Sequence, residues 1–305
     1  GQGPAPVYSL SLTGGVTSIA SGLATAAGDL PITLVLTSST LITGTYNGGT
    51  QTAFTIQMNA NGTITVTQFT ALEHHVDGPP GPAHDDALDL VNGDVNLINA
   101  TVTYQDFDGD TASASAAIGD AIVFEDDGPS INVTKGSDAN ILLITDDDGT
   151  EDSGSTTDST EADFSGAFAI GSSSGGGDGT ASAPLLTYQL TTAGGASGLT
   201  SHGNAINLYM VGNTVVGAVG SQPADLTDPD IVFTVSVNGS GVVTLTQLQQ
   251  IDHPSEAPGA TDAPFNDQSI SMLNDGLITL TASATITDND GDTASDSESI
   301  DIAAN

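Results

Sequence analysis

The sequence predicts an all-β protein: two tandem Ig-like β-sandwich modules in an elongated arrangement. Apolar residues alternate with polar ones over short runs bounded by Gly and Asn, the pattern of half-buried strands joined by turns. No long stretch carries the spacing of an amphipathic helix. The chain of 305 residues also repeats itself once, at a period of about 180.

Taken in order, Tyr8-Ser9-Leu10 opens the first copy and is matched by Tyr188-Gln189-Leu190 in the second. A hairpin follows at 53–69. Phe54, Ile56 and Met58 share one face, Asn61-Gly62 turns the chain, and Ile64 and Val66 line the return. Residues 231–248 repeat it with Phe233, Val235 and Val237, a turn at 238–241, then Val243 and Leu245. Phe54 and Phe233, Gly62 and Gly241, and Gln68 and Gln247 each lie 179 residues apart. Further on, Ala100, Val102 and Tyr104 form one face of a strand that runs into Asp106. Ala282, Ala284 and Ile286 do the same before Asp288. The segment DFDGDTASAS (106–115) then matches DNDGDTASDS (288–297).

These matches divide the chain into a first module at 1–123, an acidic junction at 124–130 and a second module at 131–305. Only the second module has a leader, at 131–163. The first is therefore expected to have an unpaired sheet edge, filled by another chain or by residues outside this sequence. The opening GQGPAPVYSL reads as domain interior and not as an export signal.

Charge narrows the function. There are 38 acidic residues against a single Lys or Arg, Lys135, and the formal net charge is -37. All but six of the acids are Asp, the short carboxylate favoured in turns and in cation-binding loops. Such a chain offers no basic footprint for nucleic acid and nothing to attract an anionic membrane. With so few internal cations it needs counter-charge from elsewhere, and divalent ions supply it most economically. Acidity for solubility alone is the competing reading; clustering of the Asp residues argues against it. With no Cys there is no disulfide framework, which again points to metal as the stabiliser. No apolar run reaches the length of a membrane span.

The candidate ligands fall in three clusters. Asp106, Asp108 and Asp110 alternate around Gly109, and Asp288, Asp290 and Asp292 around Gly291. Alternate carboxylates with a central Gly can wrap one hard cation, although the spacing is not that of an EF-hand. A solvated Asp/Gly turn is the plain alternative; identical spacing in both copies favours Ca²⁺. Glu125, Asp126 and Asp127 precede Gly128-Pro129 at the junction, where a cation would rigidify the joint and its absence would leave an acidic hinge. Asp146, Asp147 and Asp148 follow the strand-like ILLIT and are close enough in sequence to join that site. His74 and His253 occupy matching positions beside Glu73 and Asp252, with Asp77, Asp85, Asp86 and Asp267 nearby. A structural His bonded to a neighbouring acid or the backbone is the expected reading there, ahead of a mixed His/carboxylate site.

The run D-x-D-G-D-T-A-S at 106–113, followed by V-F-E-D-D-G-P-S at 123–130, resembles the repeat module of giant type I-secreted RTX adhesins, the biofilm-type surface proteins of Gram-negative bacteria. The A-D-F-S-G stretch at 162–166 is similar to the start of such a repeat. The glycine-rich nonapeptides of the secretion-proximal β-roll are absent. The resemblance implies an extracellular extender that folds on meeting calcium outside the cell.

No catalytic residue and no organic-cofactor site is expected. Gly171-Ser172-Ser173-Ser174-Gly175 fits a nucleophile-elbow pattern formally, but lacks the strand-to-helix context that gives it meaning. The notable acids occur twice, which suits structure better than catalysis. The expected function is a calcium-stabilised extender or adhesin module of a large bacterial surface protein. Its partners would be neighbouring repeats or identical chains, and a surface or matrix ligand. The alternative is a self-assembling subunit of an extracellular filament, completed by strand exchange between chains.

Overall fold

The computed structural model describes residues 5–74, 87–138, 141–145, 158–253, 270–272, 276–289 and 291–303. Among them the regular structure is strand, interrupted only by single 3₁₀ turns. The chain forms two compact units. The first is Gly1–Ser130 with Ser173–Ala183 and Ile286–Ala294; the second is Ile131–Ser172, Pro184–Thr285 and Ser295–Asn305. Two loops of the second sequence copy thus belong to the first unit.

In the first module the strands are β1 (Val7–Leu12), β2 (Ser18–Thr25), β3 (Leu30–Ser38), β4 (Leu41–Tyr46), β5 (Gln51–Met58), β6 (Ile64–Gln68), β7 (Ala87–Asp89), β8 (Val91–Asn92), β9 (Val95–Asn96), β10 (Ile98–Gln105), β11 (Thr111–Ala117) and β12 (Val123–Glu125). A five-stranded meander, β2-β3-β4-β5-β6, and a three-stranded sheet, β1-β10-β11, contribute to one core. Leu10, Leu12 and Ile98 come from the smaller sheet; Leu34, Ile42, Phe54 and Ile56 come from the larger. The Phe124 ring, on β12, lies 4.7 Å from that of Phe54 and tilted to it. Each such buried large side chain contributes roughly 1.5–3 kcal/mol relative to exposure.

The predicted hairpin is β5 and β6, in the register Phe54↔Gln68 through Met58↔Ile64. Its turn is wider than a two-residue loop. Gly62 N–H donates to Asn59 O at 3.0 Å, Asn59 N–H to Thr63 O at 2.8 Å, and Gly62 alone of the Asn61-Gly62 pair has positive φ. Position 62 also has no room for a side chain: a Cβ on Gly62 would lie 2.8 Å from the Tyr8 ring.

The second module contributes β13 (Ser130–Lys135), β14 (Asp158–Asp163), β15 (Phe168–Ser174), β16 (Thr187–Thr192), β17 (Gly195–Ser201), β18 (Asn204–Val211), β19 (Thr214–Val219), β20 (Ile231–Val237), β21 (Val242–Gln247), β22 (Ile278–Thr287) and β23 (Thr293–Asp301). Here the larger sheet has six strands, β14-β21-β20-β19-β18-β17, and the smaller has three, β16-β22-β23. Phe164, Phe233, Leu208, Val232, Leu190, Leu280 and Ala282 share its core.

The sequence repeat is a structural repeat in detail. Gly241 takes the Tyr188 ring as Gly62 takes Tyr8. Gly217 lies under Phe233 as Gly44 lies under Phe54. Ser21 donates to Ile32 O and accepts from Leu23 N–H within a bulge of the β2–β3 ladder. Ser197 does the same with Ile206 O and Leu199 N–H between β17 and β18.

Candidate metal sites

Asp106 to Asp110 close the hairpin between β10 and β11. That ladder is laced on its exposed face by hydroxyl pairs, Thr101 with Ser115 and Thr103 with Ser113. The loop is fixed by its own backbone. Asp106 N–H donates to Asp110 O at 2.9 Å, and Asp110 N–H donates back to Asp106 Oδ1 at 2.8 Å. Gly109 sits at φ +96°, a conformation that a side chain would strain. The result gathers three exposed carboxylates: oxygens of Asp106, Asp108 and Asp110 all lie within 4.8 Å of one another. Ca²⁺ bonds its oxygen ligands at about 2.4 Å, so oxygens on opposite sides of one ion are about 4.8 Å apart. The three therefore fit a single coordination shell, with room for water or further ligands on the exposed side. A hydrogen bond shared with the Asp108 carboxyl, and then the N–H groups of Asp110, Asp108 and Gly109, hold the Asp106 carboxyl below its ordinary range.

The second copy builds the same loop between β22 and β23. Asp288 N–H donates to Asp292 O at 3.1 Å, Asp292 N–H to Asp288 Oδ1 at 2.7 Å, and Gly291 has φ +106°. The surroundings differ. Asp288 is 1% exposed, whereas Asp106 is on the surface. Asp290 lies outside the described residues.

Within the first unit, Asp288 and its neighbours are met by the segment 178–181. Thr180 bridges to Asp288, and Ala181 N–H donates to Thr287 O. Asn289 Nδ2 donates to the backbone oxygen of Asp178 at 2.7 Å. Asp178 ends the 3₁₀ turn Gly176–Asp178 and is itself buried. The junction reaches the same turn: Gly177 N–H donates to Asp127 Oδ1. Gly176, at positive φ, passes so close to the Asp127 backbone that no Cβ fits there.

The junction acids thus separate. Glu125 is exposed at the end of β12, opposite Ala87 of β7. Asp127 meets the Gly176–Asp178 turn. Asp126 turns inward with its side chain 2% exposed, 3.7 Å from His74 Nδ1. The buried His74 has Nδ1 2.9 Å from Leu72 O and Nε2 3.4 Å from Phe124 O. The Oδ2 atoms of Asp126, Asp178 and Asp288 are all buried.

His253 is exposed, unlike its counterpart His74. Its neighbour Asp252 caps the β17–β18 turn through Gly203 N–H at 2.8 Å. The Thr200 side chain, then the Gly203 N–H, lowers the Asp252 carboxyl. Asp146, Asp147 and Asp148, with Asp77, Asp85, Asp86 and Asp267, lie outside the described residues. Asp178 was not a sequence candidate, because G-G-G-D-G reads as a Ser/Gly loop. The usable signal was an Asp flanked by Gly on both sides, a backbone able to approach another chain segment closely.

No helix among the described residues is long and apolar enough to cross a membrane. The sequence profile of DUF5801, described as a domain of unknown function, matches residues 1–119 and 142–303. None of the curated proteins compared matches the chain. A solved structure described as a tetra-tandem repeat in the extending region of a large adhesion protein aligns over 98% of this chain and 75% of its own. The identity is 15% and the TM-score 0.10, too loose a superposition to carry an argument.

Proposed function

The chain belongs to the DUF5801 family, and from that premise we propose that it is a calcium-stabilised structural module of an extracellular adhesion protein. The observation that carries the proposal is the convergence of Asp106, Asp108 and Asp110 within one ion's shell, on a loop whose backbone bonds recur in the second copy. Bound calcium would supply positive charge where the chain holds three like charges. The residues do the rest: Gly109 and the paired 106–110 backbone bonds preset the loop, and the three side chains offer hard oxygen ligands. Burial of Asp126, Asp178 and Asp288 in a chain of net charge -37 supports the same chemistry, since buried carboxylates need strong local compensation. Extracellular location fits, because calcium modules outside cells bind with dissociation constants of about 10⁻⁴–10⁻³ M. The RTX-adhesin resemblance of the same motifs points the same way.

The test is calorimetric titration of the metal-free full chain with CaCl₂, paired with melting curves in calcium and in excess EDTA. Saturable binding is expected, with a substantially higher melting temperature in calcium. Replacing Asp110→Asn should weaken binding at the 106–110 loop several-fold while leaving the remaining sites. A melt that EDTA does not move, together with no measurable heat of binding, would exclude the reading.

A further inference from the structure

The two modules differ at one sheet edge, and the difference points to a partner. In the second module β14 covers the outer edge of β21 in unbroken antiparallel register, from Asp158↔Gln247 to Asp163↔Val242. The chain then closes over the core: Phe164 N–H donates to Gly241 O at 3.0 Å, and Phe164 is 1% exposed. In the first module the strand corresponding to β21 is β6, and among the described residues nothing pairs with its outer edge.

Burial records the missing cover. Gln247 is 3% exposed and Leu245 packs against the core; their counterparts Gln68 and Val66 are exposed, Val66 at 39%. Phe69, next along, is 61% exposed.

Nor is this edge protected by the usual devices. An unpaired strand edge is a pairing hazard that proteins blunt with charges, Pro or a bulge. The opposite edges of the large sheets, β2 and β17, each carry a bulge fastened by a buried Ser. In β6 the sequence T-I-T-V-T-Q-F (63–69) has no charge and no Pro, and its ladder to β5 runs without a shift. A flat, β-branched, uncharged edge suits a strand that is meant to be paired.

We infer that β6 is an acceptor edge for a leader segment of the kind seen at 158–168, donated by another copy of this repeat. The donor strand would run antiparallel to β6 and end in a Phe that closes the core beside Gly62, as Phe164 does beside Gly241. This rests on the repeat and the sheet, not on calcium.

Alternation in the β5–β6 ladder assigns the amides. Asn59 N–H bonds Thr63 O and Phe69 N–H bonds Ala53 O, so the N–H groups of Thr65 and Thr67 face β5 and those of Ile64, Val66 and Gln68 face outward. The test supplies the donor in cis. A second copy of residues 158–183 is placed directly before Pro4, the spacing that 158–183 has to Pro184, in the otherwise full chain. Amide exchange is then followed at Ile64, Val66 and Gln68. Slowing of at least about tenfold is expected at these three amides, bringing them toward Val243, Leu245 and Gln247. Val66→Pro removes an outward N–H without touching the bonds to β5, and should abolish the slowing while the exchange of β3 and β4 stays unchanged. Unchanged exchange in the extended chain overturns the inference. So does a chain without the extension that already protects these amides as a β6-to-β6 dimer.

Discussion

Gly44 lies beneath the ring of Phe54 on the neighbouring strand; a Cβ there would stand 2.6 Å from the ring. Gly217 stands in the same relation to Phe233. In both modules a bulky residue on one strand requires an empty position on the next, a requirement of close approach and not of backbone conformation. Gly44→Ala should therefore destabilise the first unit by about 1–3 kcal/mol, the usual cost of overpacking, measured by urea denaturation. A change under about 0.5 kcal/mol would mean that the ring moves aside freely. At the same scale, Asp126 shows how burial divides like residues. It sits between an exposed Glu125 and an Asp127 bonded to Gly177, and it alone of the three faces His74. Asp126 and Asp127 are the same residue type side by side; their surroundings are what distinguish them.

Two elements do most to make the modules unlike. The first is β14 with the turn that follows it. Ala162 packs against the core cluster, and Phe164, Ala167 and Phe168 close that side of the second unit. Phe168 also meets Tyr188 edge-on at 6.1 Å. Phe164→Ala should cost about 3–5 kcal/mol, as large-to-small changes of buried aromatics do. The effect should be confined to the second unit, read by amide exchange on β20 and β21 against β4 and β5. Equal loosening of both would contradict the independence of the two cores. The second element is β13. Val133 N–H donates to Asp296 Oδ2 at 2.7 Å, and Lys135 pairs with Glu298 at 3.2 Å and donates to Ser299 O. The ion pair is half exposed, so it contributes no more than about 1 kcal/mol.

For the whole molecule the governing quantity is charge. With -37 formal charges the folded chain repels itself, so monovalent salt should raise the melting temperature of the metal-free protein by screening. Calcium at millimolar concentration should raise it further than the same ionic strength of NaCl; equal shifts would reduce the effect to screening. Acid works in the opposite sense through individual groups. Asp106 is lowered by Asp108, Asp163 by Ser165, Asp225 by Thr227 and Asp252 by Thr200, each chiefly through a side-chain hydrogen bond. A carboxyl lowered in the folded state binds fewer protons there than when unfolded. Its contribution is thus present above the ordinary aspartate value, about 3.9, and lost as pH falls through the lowered folded value. Denaturation followed from pH 5 to pH 2 should show stability falling with pH from these four groups. Removing one bond, as in Thr227→Ala, should reduce the dependence. All four groups are surface groups, so each effect is small.

Features that depend on neighbours a few residues away can be read directly from the chain. Alternation placed Phe54, Ile56 and Met58 on one buried face, and the repeat paired Phe54 with Phe233 and Gly62 with Gly241. The convergence of the Asp106, Asp108 and Asp110 carboxylates was legible too, because five residues and one positive-φ Gly make that loop without help from elsewhere. Tertiary structure alone decided that Asp288, the first residue of the second copy of that motif, is buried, since its neighbours Thr180 and Asp178 lie more than a hundred residues earlier. It also decided that β6 is the exposed edge. Alternation marks 64–68 as a strand, but its place at the end of the order β2-β3-β4-β5-β6 follows only from how the sheet is assembled.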